Sequence, residues 1–69
     1  MNLIINGESR EFSESSLSLS ILLEKLGMKA DRVAVELNRQ IVRREQWPST
    51  PLKDDDRLEI VHFVGGGNS

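Results

Sequence analysis

The residue types that carry most enzyme chemistry are scarce in this chain. It has no cysteine and one histidine, His62, so there is neither a thiol nucleophile nor a thiolate metal site. His62 lies in a β-prone segment, and strand alternation places it on the side of Leu58 and Ile60, the expected core face. A structural role is expected for it. The sequence therefore predicts no catalytic residue and no bound metal.

Two charged clusters are candidates for binding sites. Asp54, Asp55 and Asp56 are adjacent, and adjacent side chains do not all converge on one cation, so we interpret them as a solvated turn. Arg39, Arg43 and Arg44 are typical of a solvated strand end, or of docking to an acidic partner surface.

Overall charge and hydropathy exclude two further classes. The net charge of −2 argues against general nucleic-acid binding. No apolar run approaches the roughly 20 residues that span a membrane, and the first residues lack the pattern of a signal peptide. We expect a cytoplasmic protein with no nucleic-acid or membrane partner.

The last residues suggest a different kind of chemistry. An apolar segment over 57–64 runs into three glycines at 65–67, which precede no helix and so form no phosphate-binding loop. Glycine has no Cβ, so such a segment can enter a narrow channel, and three extended residues reach about 10 Å. A terminal carboxylate there would be ionised at pH 7 and could attack an activated phosphate. The alternative is a loose tail without chemistry.

Periodicity predicts a hairpin and a helix in the first half of the chain. Residues at about 2–6 and 9–13 flank Asn6-Gly7, a pair typical of a type I′ turn, and a polar linker follows over 13–18. Four leucines then share one helical face, with a serine placed to cap the start and a glycine to close the end. These residues are Leu19, Leu22, Leu23 and Leu26, with Ser18 and Gly27 at the ends.

Strands fill the second half. Residues 33–37 alternate between apolar and polar positions, and Ile41-Val42 forms a short return strand. An irregular connection follows over 44–56, with Trp47 and Leu52 expected to pack it on the core.

The order of these elements predicts the fold. The segment over 57–64 is apolar on both faces, which favours a central place in the sheet beside the first strand. The result is an α+β fold of the β-grasp type, a mixed sheet of four to five strands with one helix packed across one face. We expect a single domain over 1–64 and a flexible tail over 65–69.

Alternation also predicts an apolar patch on the helix-free face, near the root of the tail. Ile4, Ala34, Val61 and Phe63 would form it, with Gly65 beside it. Such a patch on so small a domain usually marks an interface, unless a loop covers it.

With these motifs the chain resembles the ThiS-type sulfur carrier proteins of thiamine biosynthesis, which are ubiquitin-like β-grasp proteins. The resemblance covers nearly the whole chain. Residues 38–47 (NRQIVRREQW) are similar to the family's N-x-x-I-V-x-R-x-x-W segment, and residues 54–67 are similar to its D-G-D…G-G ending. The helix with Leu22, Leu23, Leu26 and Gly27 also fits.

The resemblance implies a carrier that is not itself an enzyme and binds no cofactor. An adenylating enzyme similar to ubiquitin-activating enzymes would use ATP to convert the C-terminal glycine to an acyl-adenylate. Sulfur from a cysteine desulfurase system would replace AMP, and the resulting thiocarboxylate would deliver sulfur to thiazole synthase. The absence of cysteine is consistent with this scheme, because the sulfur would be bound to the carbonyl carbon of the terminal glycine.

The chain departs from the family pattern after the glycines. Family members usually end at the glycine pair, which corresponds here to Gly66 and Gly67, whereas Asn68 and Ser69 follow. While they remain, the Gly67 carbonyl is held in a peptide bond. We therefore expect a processing protease to remove them and Gly67 to be the reactive residue, with a Gly66 end as the alternative.

Three other functions stay open at this point. The chain could carry sulfur for molybdopterin, tRNA thiolation or cysteine synthesis. It could be a ubiquitin-like binding module whose tail is never activated, or a protein conjugated to lysines.

Overall fold

The computed structural model describes residues 1–63, in which seven strands, one α-helix and two 3₁₀ helices follow one another. The 3₁₀ helices cover Ala30–Arg32 and Arg44–Ser49. The other elements are β1 (Asn2–Ile5), β2 (Glu8–Glu11), β3 (Leu17–Ser18), α1 (Leu19–Lys25), β4 (Val33–Leu37), β5 (Gln40–Val42), β6 (Pro51–Leu52) and β7 (Asp56–His62).

Five of the strands form one mixed sheet in the order β2-β1-β7-β4-β5, and β3 pairs with β6 in a separate two-stranded ladder. β7 is parallel to β1 and antiparallel to β4. The predicted central position of the last strand, beside the first, is therefore confirmed. So is the α+β fold of the ubiquitin-like β-grasp type, with a five-stranded sheet and one main helix.

Two tight turns fix the register of this sheet. Asn6 and Gly7 have φ values of 51° and 84°, as a type I′ turn requires at both central positions, and the predicted hairpin is confirmed. Asn38 and Arg39 repeat this conformation between β4 and β5, with φ values of 50° and 72°. Asparagine tolerates the left-handed region because its short polar side chain can bond locally.

The helix begins and ends as its sequence predicts. Ser18 caps the first turn, since its Oγ accepts a hydrogen bond of 3.2 Å from the Ile21 amide. Gly27 follows the last turn with a φ of 72°, the left-handed residue that commonly closes a helix. The leucines at 19, 22 and 23 are buried and Leu26 is half-buried, whereas Ile21 is 44% exposed.

Burial of the leucine face against the sheet builds the core. Each large aliphatic side chain buried in this way contributes about 1.5–3 kcal/mol relative to exposure. The buried hydrophobic residues are Leu3, Ile5, Leu17, Leu19, Leu22, Leu23, Val33, Val35, Trp47, Leu52, Leu58 and Ile60.

No helix among residues 1–63 is long and apolar enough to cross a membrane.

Two segments expected to be irregular are ordered in part. The linker over 13–18 contains β3, whose Leu17 is buried, and the connection over 44–56 contains a 3₁₀ helix and β6. The predicted packing of Trp47 and Leu52 on the core is confirmed. A two-residue ladder has no periodicity to detect, because its partner lies 35 positions away (Leu17 with Leu52).

Candidate functional site

The chain approaches the predicted tail from the middle of the sheet. β7 is paired on both sides, and beyond it the Phe63 amide donates a 2.8 Å hydrogen bond to the Arg32 carbonyl. Backbone hydrogen bonds therefore hold the chain up to the last described residue. The predicted site residues Gly65, Gly66 and Gly67, the expected cleavage before Asn68 and Ser69, and the domain boundary at 64 lie outside the described residues.

Ala34 and Val61 meet on the helix-free face. They are direct partners in the antiparallel β4–β7 register, so their side chains lie side by side. Val61 is 57% exposed and Phe63, two residues on, is 55% exposed. The structure thus brings together three of the four apolar residues predicted for the patch.

Ile4 lies apart from these three residues. It is on the helix-free face, as predicted, but the parallel register pairs it with Arg57. Val61 is four residues further along β7, which is about 13 Å at about 3.3 Å per residue. Ile4 therefore does not extend the patch; its side chain is half-buried and lies next to Arg57.

Ile41 belongs to the patch although the sequence reasoning missed it. It is 77% exposed, more than the other large hydrophobic residues exposed among residues 1–63, and lines a hollow with Ala34 and Val61. The sequence predicts a strand at Ile41-Val42, and strand alternation could have identified Ile41 as exposed. Val42 packs on the core, so the side chain of its neighbour Ile41 must point away from the core. Together Ala34, Ile41, Val61 and Phe63 make up one exposed apolar surface, named the docking patch.

A groove borders the docking patch, between β4, β5 and the two 3₁₀ helices. Its volume is about 340 Å³. Phe63, the last described residue, lies at this groove. The Trp47 Nε1 supports one wall by donating a 3.0 Å hydrogen bond to the Val42 carbonyl. The lining residues include Ala30, Asp31, Ala34, Ile41, Arg44 and Phe63.

Two carboxylates lie beside the docking patch. Glu36 of β4 and Glu59 of β7 are direct cross-strand partners, both are exposed, and both line the hollow formed by Ala34, Ile41 and Val61. Like charges placed opposite each other destabilise a sheet. Neither glutamate has an ion-pair partner within residues 1–63, where the two ion pairs are Met1–Glu11 and Lys25–Glu14.

The three adjacent aspartates lie where the chain turns into β7, and their side chains accept hydrogen bonds within the fold. Asp54 accepts a 2.6 Å hydrogen bond from the Asn2 amide, and Asp55 accepts one from the Asn2 side chain. Asp56 is buried and accepts from Asn38 Nδ2 at 3.0 Å and from the Lys53 amide at 2.8 Å. The expectation of a solvated turn is therefore wrong for Asp56. Among residues 1–63 no group of three acidic, histidine or cysteine side chains could hold a metal ion.

His62 and the arginine cluster lie at the surface. Alternation placed His62 on the core face, but it is exposed, because its partner in the register is Val33, the first residue of β4, at the end of the sheet. Of the predicted basic cluster, Arg44 lines the groove, while Arg39 and Arg43 are exposed at the two ends of β5.

Comparison with known proteins gives a consistent family. The model of the ThiS family matches residues 3–67. The thiazole synthase of Paramagnetospirillum magneticum is 46% identical over 68 residues, 99% of this chain and 21% of that protein. The sulfur carrier protein ThiS of Bacillus subtilis is 35% identical over 63 residues, 91% of this chain and 96% of that protein.

Comparison with solved structures indicates the same family. The crystal structure of the thiamine biosynthesis protein (ThiS) of Geobacter metallireducens superposes with a TM-score of 0.84 at 39% identity. The superposition covers 97% of the present chain and 100% of the Geobacter metallireducens chain. The chain spans about a fifth of the length of the two thiazole synthases it matches, and nearly all of the carrier protein from Bacillus subtilis.

Proposed function

We propose, since the chain belongs to the ThiS family, that it carries sulfur in thiamine biosynthesis as a co-substrate of other enzymes. One observation carries this proposal: the family match extends over residues 3–67 and so includes the glycines as well as the folded body. A relative of nearly equal length, from Bacillus subtilis, is named a sulfur carrier protein.

Gly67 is the proposed site of the chemistry. Its carboxylate oxygen attacks the α-phosphate of ATP in an adenylating enzyme, pyrophosphate leaves, and an acyl-adenylate forms. Hydrosulfide, released from the persulfide of a cysteine desulfurase system by a thiol reductant, then attacks the carbonyl carbon; the bond to AMP breaks, AMP leaves, and a thiocarboxylate remains. The ATP is used by the partner enzyme, and the thiocarboxylate is carried covalently on Gly67.

The folded body serves as a handle in this scheme. The docking patch is apolar and exposed and includes Phe63, the last described residue before the tail, so an enzyme that binds the patch holds that residue at a fixed position. Gly65 and Gly66 would enter the active site, where the lack of Cβ allows close approach. Ile4 stays a predicted contact outside the patch.

Thiazole synthase is the proposed acceptor of the sulfur. The two relatives named thiazole synthase contain a segment similar to this chain within a longer protein. A carrier segment and its acceptor enzyme within one chain would raise the effective concentration of each for the other. This arrangement supports a partnership between the present chain and thiazole synthase.

Adenylation of Gly67 requires that nothing follows it. We propose that a protease removes Asn68 and Ser69, because a glycine in a peptide bond has no free carboxylate. A chain engineered to end at Gly67 should be activated directly, and the chain ending at Ser69 should require the protease.

Intact-mass measurement tests the function. The chain ending at Gly67 is incubated with ATP, the adenylating enzyme and the sulfur donor, and we expect a mass shift that matches replacement of one oxygen by sulfur. The chain ending at Ser69 is the matched control and should not shift. Sulfur on the untrimmed chain, or a product that converts a molybdopterin precursor but gives no thiazole, would contradict the proposal.

A further inference from the structure

We infer that the docking patch recognises a partner surface that places a cationic side chain, arginine or lysine, between Glu36 and Glu59. This inference rests on the proposed function, because the partner meant is the adenylating enzyme. It adds a charge requirement to an interface that the apolar residues alone would leave unspecific.

The first argument is the arrangement of the two glutamates. They are direct partners on adjacent antiparallel strands, which brings their Cβ atoms to about 4.5–5.5 Å. Nothing among residues 1–63 forms an ion pair with either of them. Arg57 is two residues before Glu59 on the same face of β7, next to Ile4, and also forms no ion pair within the described residues.

The second argument is where the two glutamates lie. They line one hollow together with Ala34, Ile41 and Val61, and the Ile41 and Val61 side chains are more than half exposed. A partner that covers the apolar side chains must also remove water from the two carboxylates. Burying an unpaired charge is strongly unfavourable, so a purely apolar partner surface would not fit.

The third argument concerns the position of the pair in the sheet. β7 and β4 share the longest register in the sheet, five paired positions, and a like-charged pair within it weakens the isolated chain. A cation held between the two oxygens would remove that repulsion and add charge-assisted hydrogen bonds. The pair therefore favours the bound state over the free one.

Isosteric substitutions test this inference. We would measure ATP–pyrophosphate exchange with the chain ending at Gly67, and compare Glu36→Gln, Glu59→Gln and the double variant. Glu24→Gln, an exposed glutamate on α1, is the matched control. Each single substitution should raise KM for the carrier by about tenfold and leave kcat unchanged. The double variant should lose less than the product of the two, because both carboxylates bind one cation.

Two further readouts separate docking from folding. Thermal unfolding of the variants should occur at the same or a higher temperature, since the substitutions remove repulsion. KM of the unsubstituted carrier should rise with salt more steeply than KM of the double variant. If KM of all variants stays within about twofold of the unsubstituted carrier, the charge requirement is overturned while the carrier function stands. If the unsubstituted carrier is itself not activated, the proposed function fails and this inference falls with it.

Discussion

Asn6 and Asn38 perform the same structural task on opposite sides of β7. Each sits in the left-handed region of a type I′ turn, and each turns its side chain onto the backbone of the central strand. Asn6 accepts from the Ile60 amide at 2.7 Å and donates to its carbonyl, while Asn38 Oδ1 accepts from the Arg57 amide at 3.0 Å. Two side chains thereby satisfy main-chain groups of β7 that would otherwise lack partners.

Phe63→Asp should uncouple docking from folding. The side chain is 55% exposed, so we expect the free energy of unfolding to change by less than about 1 kcal/mol. A charge within the proposed contact should raise KM in ATP–pyrophosphate exchange by more than about tenfold. Ile21→Asp is the control, because that residue is also partly exposed but lies on α1, on the other side of the sheet. Equal KM values for Phe63→Asp and the unsubstituted carrier would remove Phe63 from the interface.

Glu14 should titrate below the usual range for glutamate. A hydrogen bond from Lys25, followed by a backbone hydrogen bond, lowers its pKa. Because the pKa in the folded state is depressed, the stability that this pair adds is present above the unfolded pKa and is lost as the pH falls through the folded value. The substitution Lys25→Met should return the pKa of Glu14 toward its ordinary value, as measured by NMR titration. The control substitution Lys29→Met should leave it lowered. An unchanged pKa in Lys25→Met would contradict this assignment.

At the scale of the elements, the sequence predicts those that have a long periodic pattern or a characteristic turn sequence. The Asn6-Gly7 hairpin, the leucine face of α1 and the central β7 all have residue types and spacings that specify one local structure. β3 and β6 were not predicted, since each has two residues and exists only because the other lies opposite. Likewise, alternation identified Val61 and Ala34 as neighbours on one face, but the position of Ile4 depends on the parallel register with β7.

Ser18→Ala should destabilise the first turn of the helix. The Oγ of Ser18 accepts from the Ile21 amide, one of the donors that a helix start leaves unpaired. Its removal should lower the free energy of unfolding by about 1 kcal/mol, measured by urea denaturation. Ser16→Ala is the matched control, because that serine is exposed and its side chain has no hydrogen bond within residues 1–63. A loss no greater than that of the control would contradict the capping role.

At the scale of the whole molecule, the two sides of the sheet have separate tasks. One side packs on α1 and supplies the stability that 69 residues allow, while the other displays the docking patch. The residues of that patch come from β4, β5, β7 and the residue that follows β7, so the surface exists only when these three strands are paired. In the proposed scheme the chemistry takes place after Phe63, which is consistent with the scarcity of catalytic residue types in the sequence.

A peptide that contains the tail should therefore be a poor substrate. Residues 57–67 include Val61, Phe63 and the glycines but lack Ala34 and Ile41, and the peptide must also be ordered on binding. We expect its kcat/KM in ATP–pyrophosphate exchange to be at least about a hundredfold below that of the folded chain ending at Gly67. Conversely, the folded chain ending at Phe63 retains the docking patch without the reactive end, so it should inhibit competitively with an inhibition constant near the KM of the carrier. If the peptide reacts as well as the folded chain, or the truncated chain does not inhibit, recognition lies in the tail alone and the sheet has no part in it.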